Sequence, residues 1–319
     1  MQSTSTVTLP KTLLITPARN EARHIEGTIR SMVTQTIHPD KWIIVNDGST
    51  DETPQIIKRY AAVYDWIQQV DMPVHRERSF AAKANNFNAA CKLAGWVDYD
   101  VVGNIDADIT FDPDFLEFLF RKFAEDPDLG VAGTPFLEEG GYDSASDSFE
   151  GANYVSGQCQ LFRRTCLQDV GGYVPNKAGG VDWIAVTTAR MKGWKTRSFR
   201  EKRFFHHRTL GTAERGPLSA LYSYGEKDYY LGNSVVWEGF RVLYRMAKRP
   251  FLFGGLALGA GFTSAAVRRV SRPVSKELMQ FHRREQMKKL KAILSTLARL
   301  KRVDSFSVLK EQTPSGSKG

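Results

Sequence analysis

Short apolar runs and longer segments of helical periodicity take turns along the first half of the chain. Leu13-Leu14-Ile15-Thr16 has the length of a buried strand, and Ile25, Ile29, Met32 and Val33 follow it at helical spacing. Trp42-Ile43-Ile44-Val45 repeats the strand pattern, and residues 51–62 repeat the helical one with Thr50 or Asp51 as N-cap. A weaker strand from Ile67 to Val70, a polar basic stretch from Arg76 to Ser79, a helix over 81–93 and the apolar run from Val101 continue the series. Strands alternating with helices of this length predict an α/β fold, a mostly parallel sheet flanked by helices. In such a sheet the loops after successive strands emerge along one edge, where ligands bind.

Beyond residue 110 the rhythm is less regular. The pattern predicts a helix over 114–124, one strand from Gly130 to Leu137, a strand from Cys159 to Arg163, and short strands over 196–199 and 203–207. Gly179-Gly180 precedes a helix that begins near Asp182 and runs to about Lys192. After residue 215 the chain reads as helical over 217–231, 237–246 and 276–300. Residues 250–267 form an 18-residue stretch without charge, which is marginal for a membrane span and rich in glycine.

Charge divides the chain more sharply than hydropathy does. Of the net +9, residues 241–302 carry +14 and residues 303–319 are neutral, which leaves −5 for residues 1–240. A mildly acidic body with a basic C-terminal arm predicts an anionic surface as partner of the arm, and with the apolar stretch beside it that surface reads as a membrane and not nucleic acid. Basic clusters flank residues 250–267 on both sides, against the positive-inside tendency, so the segment is expected to be monotopic or peripheral and not a span. The predicted organisation is a domain over 1–215, a helical basic and apolar arm over 216–302, and a disordered tail over 303–319. Three cysteines without metal-ligand spacing fit a reducing compartment, and Met1 to Pro10 lacks a signal-peptide pattern, so the expected location is cytoplasmic, on the inner membrane face.

Candidate chemistry sits in the post-strand loops. Asp106 and Asp108 end the apolar run from Val101; two apart in an extended segment they point to the same side, and two carboxylates there suit a hard cation such as Mg2+ or Mn2+, although the same residues also suit a turn before a helix. Pro17 to Glu21 and Asn46 to Thr50 are the loops after the first two strands, so a parallel sheet would deliver all three groups to one crevice.

In their order and spacing, Pro17-Ala18-Arg19-Asn20-Glu21, Asn46-Asp47-Gly48-Ser49-Thr50-Asp51, Lys83-Ala84 with Asn88, Asp106-Ala107-Asp108 and Gly171-Gly172-Tyr173 followed by Asp182 resemble a family 2 glycosyltransferase of the GT-A fold over residues 12–210. The resemblance implies an inverting, metal-dependent transfer from a nucleoside-diphosphate sugar, with a uridine nucleotide favoured. It implies that Pro17, Arg19, Glu21 and Asp47 line the nucleoside pocket, that Lys83 reaches the diphosphate, and that Asp106 lies toward ribose and metal. It further implies that Asp108 and His207 ligate Mn2+ or Mg2+ and that Asp182 is the catalytic base. Asn46 stands where the family more usually has aspartate, and Val181 where it more usually has glutamate.

The implied acceptor is a lipid-linked sugar or a polysaccharide. No Gln-x-x-Arg-Trp motif occurs, so single-residue transfer is expected. Two other classes use a similar sheet: a sugar-phosphate nucleotidyltransferase, whose Gly-rich basic loop after the first strand is not matched by Pro17 to Glu21, and a non-catalytic nucleotide-sugar or membrane-binding protein.

Overall fold

The strand over Thr12–Ala18 (β1) is buried on both faces, as a central strand of a parallel sheet must be. The computed structural model describes residues 8–73, 80–146, 151–176, 179–208 and 216–299. After β1 come α1 (Ile25–Val33), β2 (Lys41–Asn46), α2 (Thr53–Ala61), β3 (Ile67–Asp71), α3 (Phe80–Leu93) and β4 (Val101–Ile105), the regular alternation predicted above. The less regular part forms β5 (Ile109–Phe111), α4 (Phe115–Glu125), β6 (Leu129–Gly133), β7 (Phe136–Glu138), β8 (Tyr142–Asp143) and β9 (Cys159–Arg163). It continues through α5 (Arg164–Val170), α6 (Val181–Met191), β10 (Lys195–Ser198) and β11 (Phe204–His206). Four helices follow: α7 (Pro217–Tyr230), α8 (Val235–Met246), α9 (Phe253–Val267) and α10 (Lys276–Ala298). The basic stretch at 76–79 and the tail at 303–319 lie outside the described residues.

The described residues fall into two compact units, one within residues 8–176 and 181–208, the other from 179–180 and 216–299. The first holds a seven-stranded sheet in the order β10-β6-β9-β4-β1-β2-β3. Within it only β9 runs against its neighbours, antiparallel to both β4 and β6. Alternation along β1 feeds two cores: Leu14 packs with Ile29, Trp42 and Phe120 on one face, while Leu13 and Ile15 pack with Phe87 and Phe162 on the other. Because Ala18 registers with Asn46, and Asn46 with Asp71, the loops after β1 and β2 leave the sheet side by side. All three cysteines are buried and unpaired.

Two expectations change. The single strand predicted from Gly130 to Leu137 is two strands, β6 in the large sheet and β7 in a small second sheet of order β5-β11-β7-β8. Pro135 lies at the break, where its missing N–H ends the ladder. Asp106 and Asp108 also do not continue β4 in extended form, because the chain turns after Ile105 and resumes as β5 in the second sheet. The period-two argument for their sharing a side therefore has no strand to act on.

In the second unit α9 packs closely on α7, and two glycines explain how. A Cβ at Gly225 would strike the Leu258 carbonyl, and one at Gly261 would strike the Tyr222 carbonyl, so the two backbones are nearly in contact. Among the described residues no helix is long and apolar enough to cross a membrane. The turn between α7 and α8 is held by α10: His282 Nε2 and Gln286 Nε2 lie 2.9 and 2.8 Å from Asn233 Oδ1, and Gln286 Oε1 accepts from the Ser234 amide at 2.8 Å.

Glu238 is buried beside this network, and its Oε1 has no hydrogen-bond partner. Burial pushes its carboxyl up from 4.5 to about 7, Asp228 adds to the rise, and Arg241 and Asn233 oppose it. A carboxyl whose folded value is raised contributes fully below its unfolded value and loses that contribution as pH climbs through the folded one. Melting native protein and Glu238→Gln from about pH 5 to about pH 8 should show the variant gaining relative stability toward high pH, on the order of 2 kcal/mol across the window.

Candidate active site

Two loops at the carboxyl edge of the large sheet, those after β1 and β2, interlock through side chains that cap one another's backbone. Asn20, in the left-handed region at φ 54°, accepts the Thr50 amide at 2.8 Å, and Ser49 Oγ accepts the Asn20 amide at 3.0 Å. Glu21 gives its amide to Thr53 Oγ1 at 2.8 Å, and Ala22 gives its own to Asp51 Oδ2 at 3.0 Å. Arg19 Nη1 stands 4.0 Å from Asp47 Oδ2, so these two predicted nucleoside contacts face each other, beside Pro17 at the end of β1. Asn46 donates Nδ2 to Asp71 at 2.7 Å and accepts the Ser49 amide at 3.1 Å. That double role accounts for the amide at position 46, since an aspartate could not donate to Asp71.

The two aspartates of the pair serve different networks. Asp106 Oδ1 receives Lys83 Nζ at 2.5 Å and Asn104 Nδ2 at 2.9 Å. Asp108 is 7% exposed and lies 3.6 Å from His206 Nε2 and 3.5 Å from Arg208 Nε, both measured to Oδ2. His206 is fixed from its other side by Glu138, with Nδ1 and Oε1 2.9 Å apart, and Arg208 donates to Glu21 at 2.6 Å. A continuous series of alternating acidic and basic groups thus runs Glu21, Arg208, Asp108, His206, Glu138.

Electrostatics follow that alternation. Burial pushes the Asp108 carboxyl up, but the His206 hydrogen bond and charge, with Arg208 and Lys83, outweigh it and hold the group below the ordinary carboxylate value. Burial lowers His206 and its bonds to Asp108 and Glu138 raise it, with a net rise. Arg208 is likewise depressed by burial and raised, on balance, by Glu21, Asp108 and Asp106.

The imidazole that meets Asp108 is His206, not the expected His207. His207 donates its backbone amide to the Asp108 carbonyl at 2.9 Å, while its ring turns away to Thr110 Oγ1 at 2.9 Å and stacks near His24 at 5.9 Å. Strand alternation is the reason: β11 buries Phe204 and His206, so the next residue on their side is Arg208, and His207 shares its side with Phe205. Sequence reasoning did not name Arg208 or Glu138, yet the period of two past Phe204 selects positions 206 and 208 together.

Asp182 begins α6, and its Oδ2 accepts the Tyr154 hydroxyl at 2.5 Å and the Gly157 amide at 3.2 Å. The Gly157 carbonyl in turn accepts Asn104 Nδ2 at 2.6 Å and Lys83 Nζ at 3.4 Å. One residue therefore ties Asp182 to the Asp106 network. A Cβ on Gly157 would lie 2.7 Å from Asp182 Cβ, so only glycine allows this approach. Tyr173 is core, packed against Phe87 and Phe162 with its hydroxyl on Gln160 at 2.6 Å.

Among the described residues no group of three His, Cys, Asp or Glu side chains forms a ready-made metal centre. Asp108 and His206 nevertheless offer one carboxylate and one imidazole directed at each other, a donor set that suits Mn2+, and Glu138 holds the ring from behind as outer-shell carboxylates do. Hard divalent cations at phosphate sites take few protein ligands and complete their shell with phosphate oxygen and water, so two donors fit such an ion. The Asp106 carboxylate is taken up by Lys83 and Asn104.

Comparison with known proteins agrees with this architecture. The profile of glycosyl transferase family 2 matches residues 13–148. The poly-beta-1,6-N-acetyl-D-glucosamine synthase of Staphylococcus epidermidis is 31% identical over 170 residues, 48% of this chain and 39% of that protein. The chain thus spans well under half the length of the curated relatives it matches. Among solved structures, the mannosyltransferase PcManGT from Pyrobaculum calidifontis, in complex with GDP-Man and Mn2+, aligns with TM-score 0.55 at 19% identity, covering 92% of this chain and 81% of that one. S. aureus TarS 1-349 in complex with UDP-GlcNAc aligns with TM-score 0.53 at 16% identity, covering 93% and 90%.

Gly157→Ala tests whether the close approach at Asp182 matters. With Asp182 as the base that the resemblance implies, the added methyl should push it out of register and lower release of nucleoside diphosphate from a nucleotide sugar by about tenfold or more, because a small misplacement of a reacting group is costly. The melting temperature, read in parallel, should fall only modestly. With motif order, sheet topology and profile match in agreement, the segment over residues 13–148 belongs to glycosyl transferase family 2, on a GT-A fold.

Proposed function

We propose that this protein is an inverting glycosyltransferase that moves a sugar from a nucleoside-diphosphate sugar to a lipid-linked or polysaccharide acceptor at the cytoplasmic membrane face. The observation that carries the reading is the Gly157 bridge, which joins Asp182 to Lys83, Asn104 and Asp106 in one hydrogen-bonded network. A base for the acceptor and a cation for the leaving diphosphate are thereby within reach of one bound donor.

In this reading the loops at Pro17, Arg19, Glu21 and Asp47 receive the nucleoside, and Lys83 meets the diphosphate as a point charge once Asp106 shares it. Asp182 takes the proton of the acceptor hydroxyl as that oxygen attacks the anomeric carbon. Tyr154 and the Gly157 amide hold its Oδ2 and leave the other oxygen to accept the proton. Asp108 and His206 would hold a divalent cation, Mn2+ or Mg2+, which when bound offsets charge on the departing diphosphate. Arg208 compensates both Glu21 and Asp108. The N-acetylglucosamine named in the matched synthase and the UDP-GlcNAc bound to TarS make UDP-N-acetylglucosamine the first donor to test.

Separate substitutions divide binding from chemistry. Calorimetry with UDP and Mn2+ should show Asp108→Asn losing the metal-dependent part of binding, about tenfold or more. Asp182→Asn should bind UDP like the native chain and lose turnover by about 10²–10⁴-fold, and full activity in that variant would remove Asp182 as the base. Tyr154→Phe, which loses only the hydroxyl on Asp182, should lower kcat and leave the KM for donor unchanged.

A further inference from the structure

The 18-residue charge-free stretch becomes the surface turn at 250–252 and α9, and its exposed face is not what water would select. Along α9 the exposed positions are Phe253, Leu256, Ala260, Thr263 and Val267, one stripe at helical spacing without a charged residue. Phe251, Leu252, Phe253 and Leu256 are each more than half exposed. On α8 the exposed side likewise reads Val236, Gly239, Leu243 and Ala247, and it leads into the same turn. A surface helix in water presents polar residues outward, and an exposed apolar patch of this extent marks a binding surface.

The turn itself is strained in a way that keeps these side chains out. Leu252 adopts φ 59° and ψ −56°, and the Phe253 amide donates to the Phe251 carbonyl at 2.6 Å, a three-residue γ-turn centred on a bulky residue. The Leu252 amide is anchored to the Met246 carbonyl at 3.0 Å. Phe251, Leu252 and Phe253 thus crown the connection between two helices that Gly255 brings together, its Cβ position lying 2.5 Å from the Val242 carbonyl.

Charge identifies the occupant. From Gly239 to Lys276 the chain has eight Lys and Arg residues and no Asp or Glu. Arg245, Lys248 and Arg249 adjoin the turn, with Lys248 Nζ 4.6 Å from the Tyr244 ring centroid and Arg245 Nη2 3.2 Å from the Arg249 carbonyl. A second copy of the chain would set these like charges against one another, whereas anionic lipid headgroups neutralise them while the apolar residues enter the acyl boundary. The 15 residues of α9 extend about 22 Å, too short for a hydrocarbon core of about 30 Å, so the element lies at the interface and does not cross it.

We propose that the α8–α9 turn and the exposed stripe of α9 form a membrane-insertion face, with Phe251, Leu252, Phe253 and Leu256 entering an anionic bilayer and Arg245, Lys248 and Arg249 meeting its headgroups. The inference rests on the membrane-face reading above and gives it a definite surface, independent of the transfer chemistry. The test is flotation of the full chain with vesicles of phosphatidylcholine alone or of equal parts phosphatidylglycerol and phosphatidylcholine, which needs no turnover. The native chain should float with the anionic vesicles only. A variant carrying Phe251→Ser, Phe253→Ser and Leu256→Ser should lose binding by about tenfold or more, since these exposed side chains supply most of the inserted area.

An insertion readout keeps the native turn chemistry largely intact. Cys91, Cys159 and Cys166 are buried, so Phe253→Cys can be labelled alone with an environment-sensitive dye. Its emission should move to the blue with anionic vesicles and be quenched by acyl-chain quenchers. Failure of the native chain to bind either vesicle would overturn the membrane-face reading and this inference together. Binding that the triple variant retains, with a dye that does not respond, would overturn the inference alone. A native dimer that the triple variant dissolves, without lipid binding, would assign the face to a second copy.

Discussion

Five carboxylates, Glu21, Asp47, Asp106, Asp108 and Glu138, are gathered at one end of the first unit, and the arrangement depends on giving each a basic partner. An ionised carboxylate out of water is costly unless it is paired and hydrogen-bonded. Here Arg208 serves Glu21 and Asp108, His206 serves Asp108 and Glu138, Lys83 serves Asp106 and Arg19 faces Asp47. The sharing of Arg208 and His206 between two acids each is what closes the series, and it joins β1, the β4–β5 turn, β7 and β11 into one electrostatic unit.

The same pairing bears on how a donor is received in the proposed reaction. A nucleoside diphosphate brings further negative charge to a place already rich in it, so the cations in the network must be shared again and not simply added. Lys83 is suited to this because its partner Asp106 is 21% exposed and its contact with the Gly157 carbonyl is long, while Arg208 is committed to Glu21, which is 7% exposed. The extra demand explains why a divalent cation on Asp108 and His206 is a natural part of the reading. It also explains why Asp106 is the less suitable ligand, since detaching it would leave both Lys83 and Asn104 with the Gly157 carbonyl alone.

Much of this was legible in the sequence where periodicity and topology agree. The first four strands and the convergence of their loops followed from apolar runs of strand length alternating with helical spacing, and the structure keeps them within a few residues. Legibility failed where a local rule was applied across a turn. Asp106 and Asp108 were treated as an extended pair, but the chain turns after Ile105, and the two acids bond to different partners. The resemblance alone does not separate His207 from its neighbour His206, because a strand three residues long has no phase fixed in advance, and one residue of phase exchanges every side chain. Glu138, Tyr154 and Gly157 matter through contacts at long sequence separation, which no spacing rule encodes.

The apolar stretch at 250–267 posed a different ambiguity, because a glycine-rich run of marginal hydrophobicity suits both a lipid-facing helix and one packed tightly on protein. The structure resolves it residue by residue and not for the helix as a whole. Gly255 and Gly261 face the neighbouring helices, where a side chain would collide with backbone, and Gly259 meets Val242 more loosely; Phe253, Leu256, Ala260 and Val267 face outward. Composition averages these two sides into one moderate hydropathy, which is why the segment looks too weak for a span and too apolar for a surface. A helix whose inner side is glycine can hold close protein contacts and still present its larger apolar residues outward, so the single segment serves packing and surface recognition without the length that crossing a bilayer requires.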